Sequence, residues 1–269
     1  MPDRIEKTIE VTGQTDAVEA IAASTGLSKT RIKLAMTRGA IWLGRGKQVR
    51  RLRRTTRTLQ PGDTLIVNYD EGVLAAEAPS PSLIADEESF SVWFKPAGVM
   101  SSGSRFGDHT AIDRMVEREL DRATFLVHRL DQYATGLIVL AHSKSAAANL
   151  ATQFRNRSVE KRYQAIVEGC LHEPLTIDTP LDDRTAITHV TPRETGTTVT
   201  LVDVRIETGR KHQIRRHLAS IGHPVIGDRL YGNTTDSPLR LTACELAFDA
   251  PSGGRFRYEL PASQRPHLP

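Results

Sequence analysis

Apolar positions early in the chain follow two different periods. Val18, Ile21 and Ala22 recur at helical spacing, Gly26 interrupts them, and Ser28 is placed to cap a second helix running toward Thr37. Two short helices are therefore predicted within residues 15–37. After Gly39 the sequence AIWLGRGKQVRR reads as a hairpin around Gly44 to Gly46, and LQPGDTLIVNY as a turn at Pro61 and Gly62 followed by a strand. Residues 71–85 are rich in Ala, Pro and Ser and carry no period. They predict a linker over 73–85 that separates a first domain, 1–72, from a second, 86–269.

In the second domain the strand-like runs are Phe90 to Phe94, Phe125 to Val127, Leu137 to Ala141, Lys161 to Val167 and Leu239 to Phe248. In TTVTLVDVRIET, Val202, Val204 and Ile206 alternate with Asp203, Arg205 and Glu207, the period of a half-buried strand. Ser143 can cap a helix whose Ala146, Ala147, Leu150 and Phe154 share one apolar face. A helix after Gly209 groups Ile214, Leu218 and Ile221 and ends at Gly222. Strands joined mostly by loops and hairpins, with helices inserted, predict a mixed α/β or α+β domain rather than a doubly wound sheet.

Charge changes this picture in one place. The net charge is only +4, yet residues 1 to 70 hold 13 Lys plus Arg against 7 Asp plus Glu, and no acidic residue interrupts the run from Lys29 to Arg57. Such one-signed density attracts a polyanion, usually a phosphate backbone; the alternative is a solvated face that keeps the chain soluble. An anionic membrane fits less well, because Gly39, Gly44 and Gly46 break any single amphipathic helix. Cys170 and Cys244 match neither a disulfide framework nor a zinc spacing, the start MPDRIEKTIE has no apolar h-region, and no later stretch is apolar for a bilayer's width. The expectation is a soluble, unprocessed protein in a reducing cytoplasm.

The order helix, helix, hairpin, strand, with the markers GLSKTRIK, a glycine-rich hairpin and PGD, resembles the S-four-like RNA-binding module named after a small-subunit ribosomal protein; the match covers about residues 5 to 70. Within it Lys29, Arg31, Lys33, Arg50, Arg51, Arg53 and Arg54 are the candidate RNA-binding residues.

Three segments of the second domain carry candidate chemistry. FLVHRLDQYATGLIVLA sets His128, Arg129 and Asp131 between two strand-like runs. VEKRYQAIVEG puts Lys161, Tyr163 and Ala165 on one face of a strand. ETGRKHQIRRHLASIGHPVIGDRLYG gathers Arg210, Lys211, His212, Arg215, Arg216 and His217 into the first turns of a helix. Together with the opening FKPAGVMSSG, and in this order from about Val92 to Phe248, they resemble the RluA family of pseudouridine synthases. The resemblance implies an α+β fold, with a long mixed but largely antiparallel sheet, flanking helices and a central cleft. It also implies isomerisation of uridine in RNA with no cofactor and no metal, by a monomer.

What the resemblance implies for single residues is specific. Asp131 is the catalytic residue, adding to the sugar or the base or assisting elimination from the ribose. A carboxylate serves any of these routes only when ionised and aimed, so a fixed cation is wanted beside it. Arg215 is that expected partner; taken without the motifs, the two read as a buried structural ion pair. Tyr163 matches the active-site tyrosine that packs on uracil, and Ile214 the apolar residue that closes the pocket, although its period also suits plain core packing. Lys161 and His128 fall among the substrate-binding positions. Arg129 matches a residue that stacks in the space left by the flipped base, with simple phosphate contact as the alternative. Where many members follow the aspartate with Thr-Ser-Gly, Ala134, Thr135 and Gly136 stand here, which removes one hydroxyl.

Two other chemistries are set aside. His212 and His217 are five apart with no acidic residue between them, so a zinc site of the His-Glu-x-x-His kind is excluded, and HRLD lacks both the order and the preceding glycine loop of a kinase. The rivals that remain are a non-catalytic RNA-binding protein and a hydrolase of the glycosidic bond. For a synthase the expected substrate is large-subunit ribosomal RNA, with transfer RNA as the alternative.

Overall fold

The computed structural model describes residues 3–233, 237–251 and 253–268. The chain divides into two compact units, Met1–Ala78 with Ser102–Met115, and Pro79–Ser101 with Val116–Pro269.

In the first unit the elements are β1 (Arg4–Glu10), β2 (Thr15–Asp16), α1 (Ala17–Thr25), α2 (Lys29–Thr37), β3 (Ile41–Arg45), β4 (Gln48–Arg51), β5 (Thr58–Leu59), β6 (Thr64–Asp70) and α3 (Glu71–Ala75). Both predicted helices are present, the second with its expected Ser28 cap and the first with a cap from Asp16. Asp16 accepts from the Val18 amide at 2.8 Å, and Ser28 accepts from the Arg31 amide at 3.4 Å. The hairpin is β3–β4, and the antiparallel sheet runs β1-β6-β3-β4. Val18, Ile21, Ile32 and Met36 from the helices pack on Ile41, Leu43, Leu65 and Val67 from the sheet, all buried.

The turn before β6 explains the PGD signal. Gly62 takes φ 87, which a β-carbon would oppose, and the Asp63 carboxylate accepts the Gln60 amide at 2.9 Å and both Arg45 donors. The Arg45 guanidinium, with that amide, holds the Asp63 carboxyl down to about 2.

Two stretches, the second of which runs on into the next unit, go beyond what the sequence predicts. Strand β1 gives little signal because RIEKTIE puts only Ile5 and Ile9 against the core and leaves the rest charged or polar, as suits an edge. The stretch expected as a linker also holds the end of α3, whose Leu74 is buried and whose cap is Asp70, and most of strand β7 (Ser82–Asp86); only residues 76–81 lack regular structure. Short elements with one buried side chain leave too little period to read.

The second unit contains β7, β8 (Phe90–Lys95), β9 (Phe125–Leu126), β10 (Thr135–Ala141), α5 (Lys144–Arg155), β11 (Glu160–Glu168), β12 (Leu175–Ile177), β13 (Thr188–Thr195), β14 (Val199–Ile206), α6 (Gln213–Ser220), β15 (Leu241–Asp249) and β16 (Arg255–Glu259); helix α4 (Ile112–Leu120) begins in the first unit's segment. Its ten-stranded sheet runs β12-β13-β14-β11-β15-β10-β8-β7, with β16 on β15 and β9 on β10. Every pairing is antiparallel except β10 with β15. This is the mixed, largely antiparallel sheet expected.

Helix α5 is capped by Ser143 and buries Ala146 and Leu150 on a core of Phe90, Val92, Leu137, Val139 and Phe248. At the parallel junction a β-carbon on Gly136, φ 115, would lie 2.3 Å from the Ala243 carbonyl, so only glycine lets these strands meet. No helix among the described residues is long and apolar enough to cross a membrane.

Candidate active site

Asp131 lies in the loop between β9 and β10, and both of its neighbours are fastened. The buried Ser101 hydroxyl donates to the Leu130 carbonyl at 2.7 Å and accepts the Leu130 amide at 2.9 Å. On the other side the fully buried Lys95 ammonium donates to the carbonyls of Gln132 (3.0 Å), Val99 (2.9 Å) and Pro96 (3.1 Å). Burial, only partly offset by Asp131, brings the Lys95 amine down to about 7. The FKPAGVMSSG segment thus acts as a brace that fixes the backbone on both sides of Asp131.

The electrostatics differ from expectation in one respect. Arg215, on α6, gives its fork to Asp228: Nε donates to Oδ2 and Nη2 to Oδ1, both at 2.7 Å, while only Nη1 reaches Asp131 Oδ2, at 3.2 Å. Asp228 has no exposed side-chain area and Asp131 keeps 20% of its own. A buried carboxylate needs the bidentate partner more than an exposed one, which decides where the fork goes. Burial opposes the ionisation of Asp228, but Arg215 and the amides of Leu230 and Tyr231 outweigh it and hold the carboxyl below its usual range. Arg215 is therefore a fixed cation that spans two carboxylates, and Asp131 is its exposed end.

A cavity of about 600 Å³ opens on this pair and is lined by His128, Arg129, Asp131, Lys161, Tyr163, Ile214 and Arg215. All seven catalytic and substrate-binding candidates meet there. Tyr163 faces it from β11, beside a register slip at Arg162/Tyr163 that leaves Cys244 of β15 without a partner on β11. Burial, and then Asp131, pushes the Tyr163 hydroxyl well above its usual range, so it stays protonated.

His128 is spoken for: its Nε2 accepts the Val139 amide at 3.0 Å, its ring stacks on Phe154 at 4.3 Å, and burial, then Lys161, takes it down to about 3. The Lys161 ammonium stands over the Phe154 ring, 6.0 Å from its centre, and burial, then Arg157, lowers its pKa. Arg129 is exposed on the rim. The hydroxyl kept at Thr135 pairs with Thr242 at 2.8 Å, and Ala134 is buried on the cavity wall.

The basic helix start expected after Gly209 is instead a loop. Helix α6 begins at Gln213, so Arg210, Lys211 and His212 precede it, and Ile221 lies beyond its end, 36% exposed, rather than on its buried face. Gln213 organises that loop: its Oε1 accepts from Thr208 Oγ1 and the Arg210 amide, and its Nε2 donates to Ile187 O and Thr188 Oγ1. His217 is buried, bonded to Thr188 and Thr179. Among the described residues no group of three or more His, Cys, Asp or Glu side chains could hold a metal ion.

Sequence reasoning passed over Lys95, Ser101, Gln213 and Asp228. Each stood inside a recognised motif, and the missing signal was that a polar residue there is buried.

In the first unit the basic candidates divide. Arg51 pairs with Asp108 at 3.0 Å, donates to Ser104 O at 2.7 Å and to Gly39 O, and lies over the Trp42 ring at 4.2 Å; Arg53 pairs with Asp108 and donates to Thr37 O. These two arginines hold the 102–108 segment rather than present free charge. Lys29 pairs with Glu19 and Arg31 with Glu71, whereas Arg50 and Arg54, and Lys33 on α2, are exposed without an ion pair among the described residues.

Residues 89–220 match the family described as RNA pseudouridylate synthase. A protein of Aquifex aeolicus described as an uncharacterized RNA pseudouridine synthase is 31% identical over 238 residues, covering 78% of this chain and 74% of that one. Ribosomal large subunit pseudouridine synthase D of Nitrosomonas europaea is 34% identical over 183 residues, 61% of this chain and 53% of its own length. The solved structure of human RNA pseudouridylate synthase domain containing 1 superposes with a TM-score of 0.60 at 22% identity, covering 69% of this chain and 86% of that chain, which matches the fold. With the relative from Aquifex aeolicus matched over most of both chains, this protein belongs to the RNA pseudouridine synthase family of isomerases.

Proposed function

We propose that this enzyme converts uridine to pseudouridine in large-subunit ribosomal RNA in the cytoplasm, with Asp131 as the reacting carboxylate. The observation that carries this reading is Asp131 itself, partly exposed at a cavity beside an arginine that a second, buried carboxylate holds in place. A binding protein gains nothing from a carboxylate facing a polyanion. The cavity volume suits one nucleoside extruded from its stack, at a cost of roughly a few kcal/mol that is least where the RNA is already looped.

Within the cavity the residues divide the work. Asp131 attacks or assists at the sugar or the base, Arg215 aims it, and Tyr163 and Ile214 pack on the uracil. The side chains of Arg129, Arg155, Arg157 and Lys211 line the same cavity without a hydrogen bond or ion pair among the described residues and so are available for phosphates, while the Lys161 ammonium stands over the Phe154 ring beside them. Relatives named for the ribosomal large subunit support the choice of RNA, and the basic first unit, read as an S-four-like module of RluA-type enzymes, supports a phosphate-backbone anchor.

Product analysis tests the chemistry. On a transcript made with uridine tritiated at carbon 5, isomerisation must release that hydrogen to water as the new carbon–carbon bond forms, with RNA mass otherwise unchanged. No added metal, nucleotide or redox cofactor should be needed. Free uracil without tritium release would mean glycosidic hydrolysis instead.

Charge reversal tests the module. Because Arg51 and Arg53 hold Asp108, changing them would disturb the unit itself. Lys33→Glu, Arg50→Glu and Arg54→Glu are the informative changes, each expected to flatten the salt dependence of RNA binding by about one unit of slope per lost phosphate contact. The single-turnover rate at saturating RNA should hold. An unchanged salt slope would reduce these residues to solubilising charge.

A further inference from the structure

His212 has no part in the roles assigned so far, yet its geometry is unusual. It sits at φ 53, a conformation unfavourable for a residue with a β-carbon, and the Gln213 hydrogen bonds to Thr208, Arg210, Ile187 and Thr188 hold the loop that imposes it. The conformation delivers the imidazole to the cavity wall. There Nε2 lies 3.8 Å from Asp131 Oδ1, and Nδ1 lies 3.0 Å from the Tyr231 hydroxyl. Arg215 serves only Oδ2, and Oδ1 accepts no hydrogen bond among the described residues.

Tyr231 is itself fixed by the same ionic centre. Its amide donates to Asp228 Oδ1 at 3.1 Å, the Arg215 guanidinium stands 5.2 Å from its ring centre, and its ring meets the His212 ring edge-on at 5.7 Å. Burial lowers the His212 pKa against the pull of Asp131, which favours the neutral ring. In a neutral ring whose Nδ1 accepts the tyrosine hydroxyl, the proton must sit on Nε2, toward Asp131.

We propose that Tyr231 and His212 are positioning residues for the isomerisation: the tyrosine hydroxyl fixes the imidazole so that its Nε2 proton engages Asp131 Oδ1 once uridine is bound. The carboxylate is then oriented through both oxygens, by Arg215 on one and His212 on the other. Catalytic hydrogen bonds are often long before substrate arrives and tighten in the complex. The inference rests on the reading of Asp131 as the reacting group.

The test measures single-turnover tritium release by the full chain for Tyr231→Phe, His212→Asn, their double variant and Asp131→Asn. Tyr231→Phe keeps the ring and removes one partly exposed hydroxyl, so it should fold, and asparagine tolerates the left-handed backbone at 212. Each single variant is expected to lose about tenfold to a hundredfold in rate at saturating RNA, with the half-saturating RNA concentration unchanged, and the double should be no slower than the slower single. A wild-type rate in Tyr231→Phe, single effects that multiply, or a change confined to the half-saturating concentration would each overturn the proposal. If Asp131→Asn is inactive while Tyr231→Phe is unaffected, only the His212 brace fails; if Asp131→Asn remains active, the assignment of Asp131 fails first.

Discussion

Asp131→Asn should reduce isomerisation to below about one thousandth of the wild-type rate while leaving both RNA affinity and the unfolding midpoint near wild type. The amide keeps the carboxylate's shape and lacks its charge, so it cannot attack carbon or assist departure of the base. Stability survives because Arg215 does not depend on Asp131: its Nε and Nη2 are bonded to Asp228 in either case. The Leu130 and Gln132 backbones likewise stay clamped by Ser101 and Lys95. Single-turnover tritium release beside a thermal melt measures both halves. A rate within tenfold of wild type would remove Asp131 from its role, and a large fall in the melting midpoint would show that Asp131 belongs to the structural ion pair instead.

Arg215→Met should damage activity and fold together. It removes the charge that aims Asp131, and it strands Asp228, whose side chain is fully buried, without a cation. Breaking such a pair from one side costs about 3–5 kcal/mol, against almost nothing for Asp131→Asn. The effect has a pH signature. The native Asp228 carboxyl lies below its unfolded value, so its contribution is complete above about pH 5 and is lost as pH falls through the native pKa. Arg215→Met should therefore be less stable at neutral pH and show a flatter acid limb. In activity, its effect should not multiply with that of Asp131→Asn, since both changes act through one carboxylate. Independent, multiplying losses would mean that Arg215 serves the reaction apart from Asp131.

What could be read from the chain was what local sequence encodes. The Ser28 and Ser143 caps, the Pro61-Gly62 turn, the alternation in β14 and the polar cluster at a strand end each depend on a few adjacent residues, and each is found. The candidate site residues could be proposed because their motifs travel in order, and one cavity is lined by every catalytic and substrate-binding candidate. Choices made in three dimensions could not be read. Nothing in the order of residues says that Arg215 will give its fork to Asp228, since burial decides between two acids. Nor does it say that Arg51 and Arg53 are taken by Asp108, which lies 55 and more positions downstream in a segment folded with the first unit. Strands β12, β13 and β16 escaped because they are short or carry polar residues on both faces. Lys95 was overlooked for a different reason: a lysine looks exposed until three carbonyls are found around it.

The most direct measurement maps pseudouridine by carbodiimide labelling and primer extension on large-subunit ribosomal RNA. The RNA comes from cells lacking the gene, complemented with either the wild-type chain or Asp131→Asn. At least one stop should vanish in the deletion, return with the wild type and stay absent with Asp131→Asn. An identical pattern of stops on large-subunit RNA in all three strains, or a site restored by Asp131→Asn, would contradict the assignment.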